Sequence, residues 1–571
     1  MKRNILQTLF VSIVLVFITA ISWMLLATNT KADPSAPTSI SAGDTVTIKG
    51  GAKVKFTQVS ARSRSTHSLG LASDGTAYAW GSNNYGELGN GTISRDPNPL
   101  PVAVTTTGTP MAGKTITAVS AGSYYSLALA GDGTVYTWGR NNYGQLGNGT
   151  TDDSNIPVAV TTTGTPMAGK TITAISAGRF HSLALASDGT VYAWGFNEEG
   201  QLGNGTTDDS NIPVAVTTTG TSMAGKTITA ISGGYSHSLA LASNGTVYAW
   251  GYNDYGQLGN GTTTVSNKPV AVTTTGTPIA DKTITAISAG YSHSLALASD
   301  GTVYAWGNNG NGRLGNGTTT HSNKPVAITD TPMAGKTITA ISAGSSHSLA
   351  LASDGTVYAW GYNGYGQLGN GATDDSNIPV AITTAGMPMA GKTITAISAG
   401  SSHSLALASD GTVYAWGFNE EGQLGNGTNV DSNLPVATIM PSNTPTAITV
   451  GGVPATNIQV LPNGDITFTA PEHTPGVVDV VITFDNGTSR TIASSYEYPA
   501  TPSPDPTPTP APINPSDDDN DSSSNQTNSN TPGAPNTGAA KLIAPMLPVI
   551  GVVMAVVGIA LVVTRVRGHK A

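Results

Sequence analysis

The sequence predicts an all-β fold: a seven-bladed β-propeller, then a small β domain, a disordered stalk and one C-terminal transmembrane helix. Three observations carry this reading. Beyond Trp23, the tryptophans are Trp80, Trp138, Trp194, Trp250, Trp306, Trp360 and Trp416, at spacings of 54 to 58 residues, and each is followed by Gly. Short β-branched and aromatic runs such as Thr356-Val357-Tyr358-Ala359-Trp360 follow Asp-Gly steps, the strongest short hairpin signal, because a type I′ turn needs positive φ at both central positions. The 69 Gly and 34 Pro among 571 residues imply many turns and few long helices.

One unit, Ile338 to Ile382, justifies the elements in order. Ile338, Ala340 and Ser342 alternate with Thr339 and Ile341 until Gly344 breaks the first strand. Ser348-Leu349-Ala350-Leu351-Ala352 is a second strand, Asp354-Gly355 a hairpin turn, and Thr356 to Trp360 a third strand. A Gly/Asn-rich loop, Gly361 to Asn377, leads to a fourth strand, Val380-Ala381-Ile382, with Pro379 just before it as suits a sheet edge. A lone four-stranded blade cannot bury both of its faces, whereas seven stacked around an axis can. Each of the seven repeat tryptophans is then expected to be structural, packed between adjacent blades, where ~150–250 Å² of aromatic surface leaves water.

The strings Trp-Gly-x-Asn-x-x-Gly-Gln-Leu-Gly (Trp360 to Gly369) and Ala-Gly-x-x-His-Ser-Leu-Ala-Leu (Ala343 to Leu351) resemble the regulator of chromosome condensation repeat. The resemblance covers residues 54–440 and implies a seven-bladed propeller. The family's founding member is a guanine-nucleotide exchange factor that depends partly on an insertion in one blade, and no unit here carries one. Secreted relatives of this repeat type include an inhibitor that grips an enzyme with one propeller face.

Comparison of the seven units separates two rims. The turn between the second and third strands reads Ser-Asp-Gly-Thr in five units, with Gly131 and Asn244 the single changes elsewhere, and the inter-blade link is nearly constant, as in residues 105–115. Variation, aromatics and charge collect on the opposite rim, at Tyr124, Tyr125, Arg179, Phe180, Phe196, Glu198, Glu199, Tyr235, Tyr252, Asp254, Tyr255, Tyr291, Arg313, Tyr362 and Phe418. Tyr, Asn, Ser and Gly with scattered charge is the composition of adaptable recognition surfaces. These residues are the candidate binding rim for an extracellular protein or glycan. The alternative is that these loops vary because nothing constrains them.

Other constellations point to structure rather than chemistry. His67, His181, His237, His293, His347 and His403 precede Ser-Leu, with Tyr125 at that position in the second unit. Equivalent blade positions spread around an axis rather than converging at zinc-ligand distance, so a repeat-signature His bonded to neighbouring backbone is expected. Paired Asp residues such as Asp152-Asp153 lack the spaced pattern of a calcium loop, and Asn-Gly-Thr steps such as Asn148 read as turns rather than glycosylation sites. No phosphate loop or nucleophile elbow occurs, and Cys is absent, which excludes disulfides, thiolate metal sites and Cys nucleophiles. No enzyme activity and no cofactor is expected. Lys plus Arg number 25 against 34 Asp plus Glu, a net charge of −9 with no basic cluster outside the termini, which argues against nucleic-acid binding.

The ends supply an address. Lys2 and Arg3 precede an apolar run from Ile5 to Leu26, so residues 1–32 read as a secretory signal, with an uncleaved anchor as the alternative. Residues 442–500 alternate in short apolar runs. Ala470-Pro471-Glu472-His473 and Pro475 to Val480 resemble the TIG/IPT module of bacterial surface proteins, implying a small immunoglobulin-like β domain used as a spacer. Residues 501–533 are a Pro/Asp/Ser-rich linker, an extended tether reaching roughly 100 Å at ~3.1 Å per residue.

Residues 534–571 hold a spanning segment, 542–563, and a basic tail, Arg565 to Lys570. Ala534-Pro535-Asn536-Thr537-Gly538 before it resembles the cell-wall sorting signal Leu-Pro-x-Thr-Gly, with Ala534 in place of Leu. That resemblance implies processing at Pro535, Thr537 and Gly538, with the Thr537–Gly538 bond cut. An ordinary single-pass anchor is the alternative. The expected molecule is a monomeric cell-surface binding or adhesion protein, anchored to cell wall or membrane. An enzyme-inhibitor-like propeller and an exchange factor by family resemblance are the competing readings.

Overall fold

The computed structural model describes residues 38–48, 54–62, 65–329, 332–441, 444–461, 464–485 and 489–500. The signal reading of residues 1–32, the linker 501–533, the sorting motif at Pro535, Thr537 and Gly538, and the segment 542–563 lie outside the described residues. Among those described, every regular element is a β-strand.

Seven four-stranded antiparallel sheets follow one another from Phe56 to Ala437, each with its strands in sequence order. The third blade is typical, with strands Ile172–Ala177, His181–Ala186, Val191–Gly195 and Ser210–Ala215. Its second and third strands are buried at every position, without alternation, because neighbouring blades cover both faces. The outer strand is longer than the sequence suggests: in the sixth blade it runs Ser376–Ala381, with Pro379 inside it. The pairing shifts register between Ala359↔Val380 and Gly361↔Ser376, and this irregularity accommodates a residue without an N–H.

The apolar cores lie between blades, where the repeat spacing puts the tryptophans. Trp80, Trp138, Trp194, Trp250, Trp306, Trp360 and Trp416 are all fully buried, each on the third strand of its blade. Trp138 of the second blade packs with Leu69 and Leu71 of the first, and Trp194 of the third with Leu127 and Leu129 of the second. Trp250 of the fourth blade is enclosed by Leu183, Leu185, Val191, Leu202 and Met223, which belong to the third blade and its loops. Trp306 meets Leu239 and Leu241, Trp360 meets Leu295 and Leu297, and Trp416 meets Leu349 and Leu351, in each case from the preceding blade. The last core joins Phe56, Tyr78 and Trp80 of the first blade to Leu405, Leu407, Val413 and Leu424 of the seventh. Ser432–Ala437 pairs within its own blade, so no strand is exchanged to close the ring. Closure rests on side chains together with a few loop backbone bonds, such as Phe56 N–H to the Gly411 carbonyl at 3.2 Å and Gly427 N–H to the Pro99 carbonyl at 2.9 Å.

Those side chains form one repeated polar node. The Gln201 carbonyl accepts the Trp250 indole N–H at 2.8 Å and the Ser238 hydroxyl at 2.9 Å, while His181 Nε2 lies 3.0 Å from Ser238 Oγ. Ser238 spends its only hydrogen on the carbonyl, so the imidazole must donate: His181 is the Nε2–H tautomer. The indoles of Trp138, Trp194, Trp306 and Trp416 donate in the same way, to the carbonyls of Glu87, Gln145, Gln257 and Gln367. The arrangement also closes the ring, with Trp80 Nε1 and Ser68 Oγ donating to the Gln423 carbonyl and His403 Nε2 at 3.0 Å from Ser68 Oγ. The histidines therefore bond the hydroxyl of the next blade rather than backbone. The glycine three residues before five of the six histidines has a packing reason: a Cβ on Gly178 would collide with the His181 ring.

A second ring lines the axis. Each first-strand serine accepts an N–H from the next blade, from Ala121 N–H to Ser60 Oγ at 3.0 Å round to Ala61 N–H to Ser398 Oγ at 2.9 Å. Arg62 reaches from the first blade to Ser232 Oγ and the Gly233 carbonyl of the fourth, each at 3.1 Å.

The small β domain is built from both sides of the propeller in sequence. One sheet has the order Thr38–Ser39, Ser489–Tyr498, Gly476–Phe484, Pro445–Val450, Val453–Pro454; the other has Thr45–Ile48, Ile466–Thr469, Thr456–Val460. They share a core that includes Val46, Ile48, Ile448, Ile466, Phe468, Val480 and Phe484. Residues 38–48 thus complete a domain whose sequence reading begins at 442, and the propeller is an insertion within it.

The buried histidines set the acid response. Burial lowers His67, His181, His237, His347 and His403 from 6.5 to about 3, and His293 well below 6.5. Their folded pKa values are depressed, so this stability is complete above pH 6.5 and is lost as pH falls toward about 3. Unfolding at pH 5 should take up close to six protons, costing ~1.4 kcal/mol per pH unit for each histidine. Calorimetric midpoints between pH 7.5 and 5 measure this. His237→Gln should reduce the uptake by one proton, and a midpoint flat across that window would contradict the neutral ring.

Candidate functional site

The nearly constant rim has a structural explanation. Asp132 in the second blade's hairpin turn accepts the Thr134 N–H through Oδ1 at 3.0 Å and the Lys114 ammonium through Oδ2 at 2.7 Å. Four more blades repeat the ion pair at the same distance. The link buries Met111 beneath these exposed pairs. Turn, lysine and methionine are held by mutual contacts, so this rim repeats.

The variable rim stands on an equally repeated frame. In the third blade Asn197 Oδ1 accepts the Leu202 N–H at 2.9 Å, and its Nδ2 donates to the carbonyls of Thr206 and Asp208 at 3.1 and 2.9 Å. The Asn197 N–H donates to Asp209 Oδ1 at 2.7 Å, and Gln201 Oε1 accepts the Glu199 N–H at 3.0 Å. Asp153, Asp375 and Asp431 repeat the staple of Asp209, and His321 Nδ1 replaces it in the fifth blade. The second Asp of each pair is thereby committed to loop backbone. No group of three or more His, Cys, Asp or Glu side chains able to hold a metal occurs among the described residues.

Most of the variation falls on positions that carry none of these side-chain bonds, and there the side chains meet each other. Arg140 lies over Tyr85 at 4.7 Å, Phe180 at 5.2 Å and Tyr124 at 5.7 Å. Arg179 sits between Phe180 at 4.4 Å and Tyr235 at 4.2 Å, and Tyr235 meets Tyr291 at 4.0 Å. Tyr143 bridges Phe180 and Phe196 at 5.2 and 4.8 Å. The result is a ladder of rings and guanidinium groups across the first to fifth blades. Beyond it, Tyr255, Tyr291, Arg313 and Tyr362 line a cavity of about 340 Å³, and Tyr365 joins Tyr362 to Phe418. Glu198 and Asp254 are exposed, and Tyr252 donates to Asp254 Oδ2 at 2.9 Å.

Three sequence-derived candidates need correction. Tyr125 is fully buried: it occupies the histidine position of the polar node, donates to the His181 carbonyl and lies 3.1 Å from Ser182 Oγ. Phe180, 5% exposed, is the floor of the ladder rather than its surface. Arg313, 6% exposed, is a wall of the cavity. Conversely, Tyr85, Tyr143 and Tyr365 belong to the ring contacts and escaped the sequence reading. They share one column, two residues before the Gln, Glu or Arg of the repeat, where the other blades carry Glu199, Tyr255, Asn311 and Glu421.

Glu87 breaks the frame in the first blade. It stands where five blades carry Gln, is fully buried, and accepts the Tyr85 N–H at 2.7 Å and the Ser82 hydroxyl at 2.8 Å. Burial raises its pKa above 4.5 against the pull of those bonds. A carboxyl raised on folding loses stability as pH climbs from 4.5 through the folded value. Glu87→Gln should therefore stabilise the protein by ~1–2 kcal/mol at pH 8 and by less at pH 5, read from denaturant midpoints. A gain independent of pH would refute this.

Comparisons with known proteins agree with this geometry. The RCC1-like domain model matches residues 165–466, and the regulator of chromosome condensation (RCC1) repeat matches residues 74–129 and 132–185. The ultraviolet-B receptor UVR8 of Arabidopsis thaliana is 32% identical over 371 residues, covering 65% of this chain and 79% of that protein. The human E3 ubiquitin-protein ligase HERC2 is 32% identical over 363 residues, 63% of this chain but 7% of that protein. Human WBSCR16 has the same fold, with a TM-score of 0.56, 23% identity and coverage of 70% of this chain and 99% of that one. Yeast RCC1 (Prp20), solved bound to Kap60, gives 0.54 at 23% identity, covering 70% of this chain and 89% of that one. With seven blades of this pattern and the motif residues in the nodes between them, the chain belongs to the regulator of chromosome condensation (RCC1) repeat family.

Proposed function

We propose that this protein holds a macromolecular partner, a protein or glycan outside the cell, on its variable rim, and that it binds without catalysing a reaction. The observation that carries the reading is the Arg140–Arg179 ladder. Guanidinium and aromatic groups are pre-stacked on a repeated hydrogen-bonded frame, so little side-chain freedom remains to be lost on binding. Tyr and Arg are also the residue types that dominate interface energetics. Protein binding has precedent in relatives: yeast RCC1 (Prp20) has been solved with Kap60, and Prp20p from Saccharomyces cerevisiae has been studied for its binding to Gsp1p and histones.

The setting follows from the termini. Residues 1–32 direct export, residues 534–571 anchor the chain in membrane or cell wall, and residues 442–500 and 501–533 serve as spacer and linker. This makes adhesion, rather than inhibition of one soluble enzyme, the leading role.

Cell fractionation followed by binding of the purified protein to candidate cells and matrix tests both parts. Wild-type protein should adhere, and Arg179→Ala with Phe196→Ala should weaken adhesion at least tenfold. Equal adhesion by the double variant would remove the ladder from the interface, and recovery of the chain in the cytosol would remove the surface role.

A further inference from the structure

The cavity beyond the ladder has a chemistry of its own, and it centres on Arg313. Five blades carry Gln at this repeat position, where its Oε1 accepts the N–H two residues earlier, as Gln257 does from Tyr255 at 3.1 Å. Arginine has no acceptor to offer. The Arg313 carbonyl still completes the polar node, accepting Ser348 Oγ and Trp360 Nε1 at 2.9 Å each, so the fold uses the residue's backbone and leaves its side chain to another task.

That side chain is buried and incompletely paired. Nη1 donates to the Ser345 carbonyl at 3.1 Å and Nη2 to Asn311 Oδ1 at 2.8 Å, while Nε, also buried, has no partner. Two bonds from five N–H groups leave Nε–H and one hydrogen on each terminal nitrogen. Among the described residues no carboxylate lies within ion-pair distance of Arg313. Asp375, the acidic group whose field it feels, is committed: Oδ1 accepts the Asn363 N–H at 2.8 Å and Oδ2 the Asn311 amide at 3.1 Å. A guanidinium removed from water without a counter-ion is costly, and an anionic ligand would offset that cost.

The remaining walls define the ligand further. Tyr255, Tyr291 and Tyr362 present rings, Asn308 and four serines from the sixth and seventh blades present polar groups, and no aliphatic side chain lines the space. At about 340 Å³ the cavity falls within the ~300–1,000 Å³ of small-molecule sites. These walls suit a hydroxylated ring bearing a carboxylate.

We propose that this cavity binds a uronic acid unit of a glycan. Its carboxylate pairs with the Arg313 guanidinium, its ring lies against the tyrosines and its hydroxyls face Asn308 and the serines. The assignment rests on the variable rim being the binding face, but on a part of it that shares only Tyr291 with the ladder.

The test is titration of the full-length protein with galacturonate and glucuronate, with galactose and glucose as neutral controls and a Glu-rich peptide as a second carboxylate source, followed by calorimetry. At least one uronate should bind saturably and at least tenfold more tightly than its neutral counterpart. Arg313→Gln installs the residue that five blades already carry, so it should keep the thermal midpoint while losing that preference; Tyr362→Ala should weaken uronate binding without removing the preference. Equal binding of acidic and neutral sugars, a preference retained in Arg313→Gln, or tighter binding of the peptide would each overturn the proposal. The ladder variant Arg179→Ala with Phe196→Ala should still bind uronate, so failure of either reading is distinguishable from failure of the other.

Discussion

Everything in this propeller depends on one shared acceptor: the carbonyl before each Leu-Gly, which takes an indole N–H and a serine hydroxyl from the next blade while a histidine of its own blade donates to that serine. The apolar surfaces between blades supply the driving force, but they are non-directional and would tolerate sliding. The node does not. It buries an indole N–H, a serine hydroxyl and an imidazole Nε2–H that cost free energy unless paired, and only one relative placement of adjacent blades pairs all three. Repeated around the axis and joined from the seventh blade to the first, it closes the ring without an exchanged strand.

Different frames on the two rims explain why this repeat tolerates so much variation on one and so little on the other. On the variable side, Asn, Gln, Leu and the stapling Asp hold the loop from within, leaving the intervening side chains free of structural duty. On the invariant side, the residues that would be free to vary are those that make the lysine–aspartate pair and bury the methionine. The same fold therefore presents one generic face and one individual face.

Three departures from the repeat show how a fixed frame is adapted. Tyr125 replaces a histidine and its hydroxyl reaches the next blade's carbonyl, so the ring survives the change. Glu87 replaces a glutamine and keeps its bond to the loop backbone, but introduces a carboxyl where burial disfavours charge. Arg313 keeps the backbone node and abandons the side-chain role altogether. Glu87 and Arg313 occupy the same repeat position, yet one keeps the loop bond and the other faces a cavity, and only the surroundings distinguish them.

Period and composition alone determined the number of blades, the order of strands within each and the inter-blade position of the tryptophans from Trp80 to Trp416, because a unit repeated seven times imposes the same local choices and leaves one way to bury them. Which rim varies was also legible, by comparing the units with one another. Partnerships across large sequence separations were not. Val46 and Ile48 alternate like any short strand, yet their sheet partner is Ile466–Thr469, more than 400 residues on, and nothing local encodes that pairing. Nor could a column of residue types reveal that Tyr125 and Arg313 are buried while Tyr255 is 37% exposed, or that the histidines donate through Nε2 to a neighbouring hydroxyl. Exposure and hydrogen-bond direction are properties of the assembled ring, set by what the adjacent blade brings within reach.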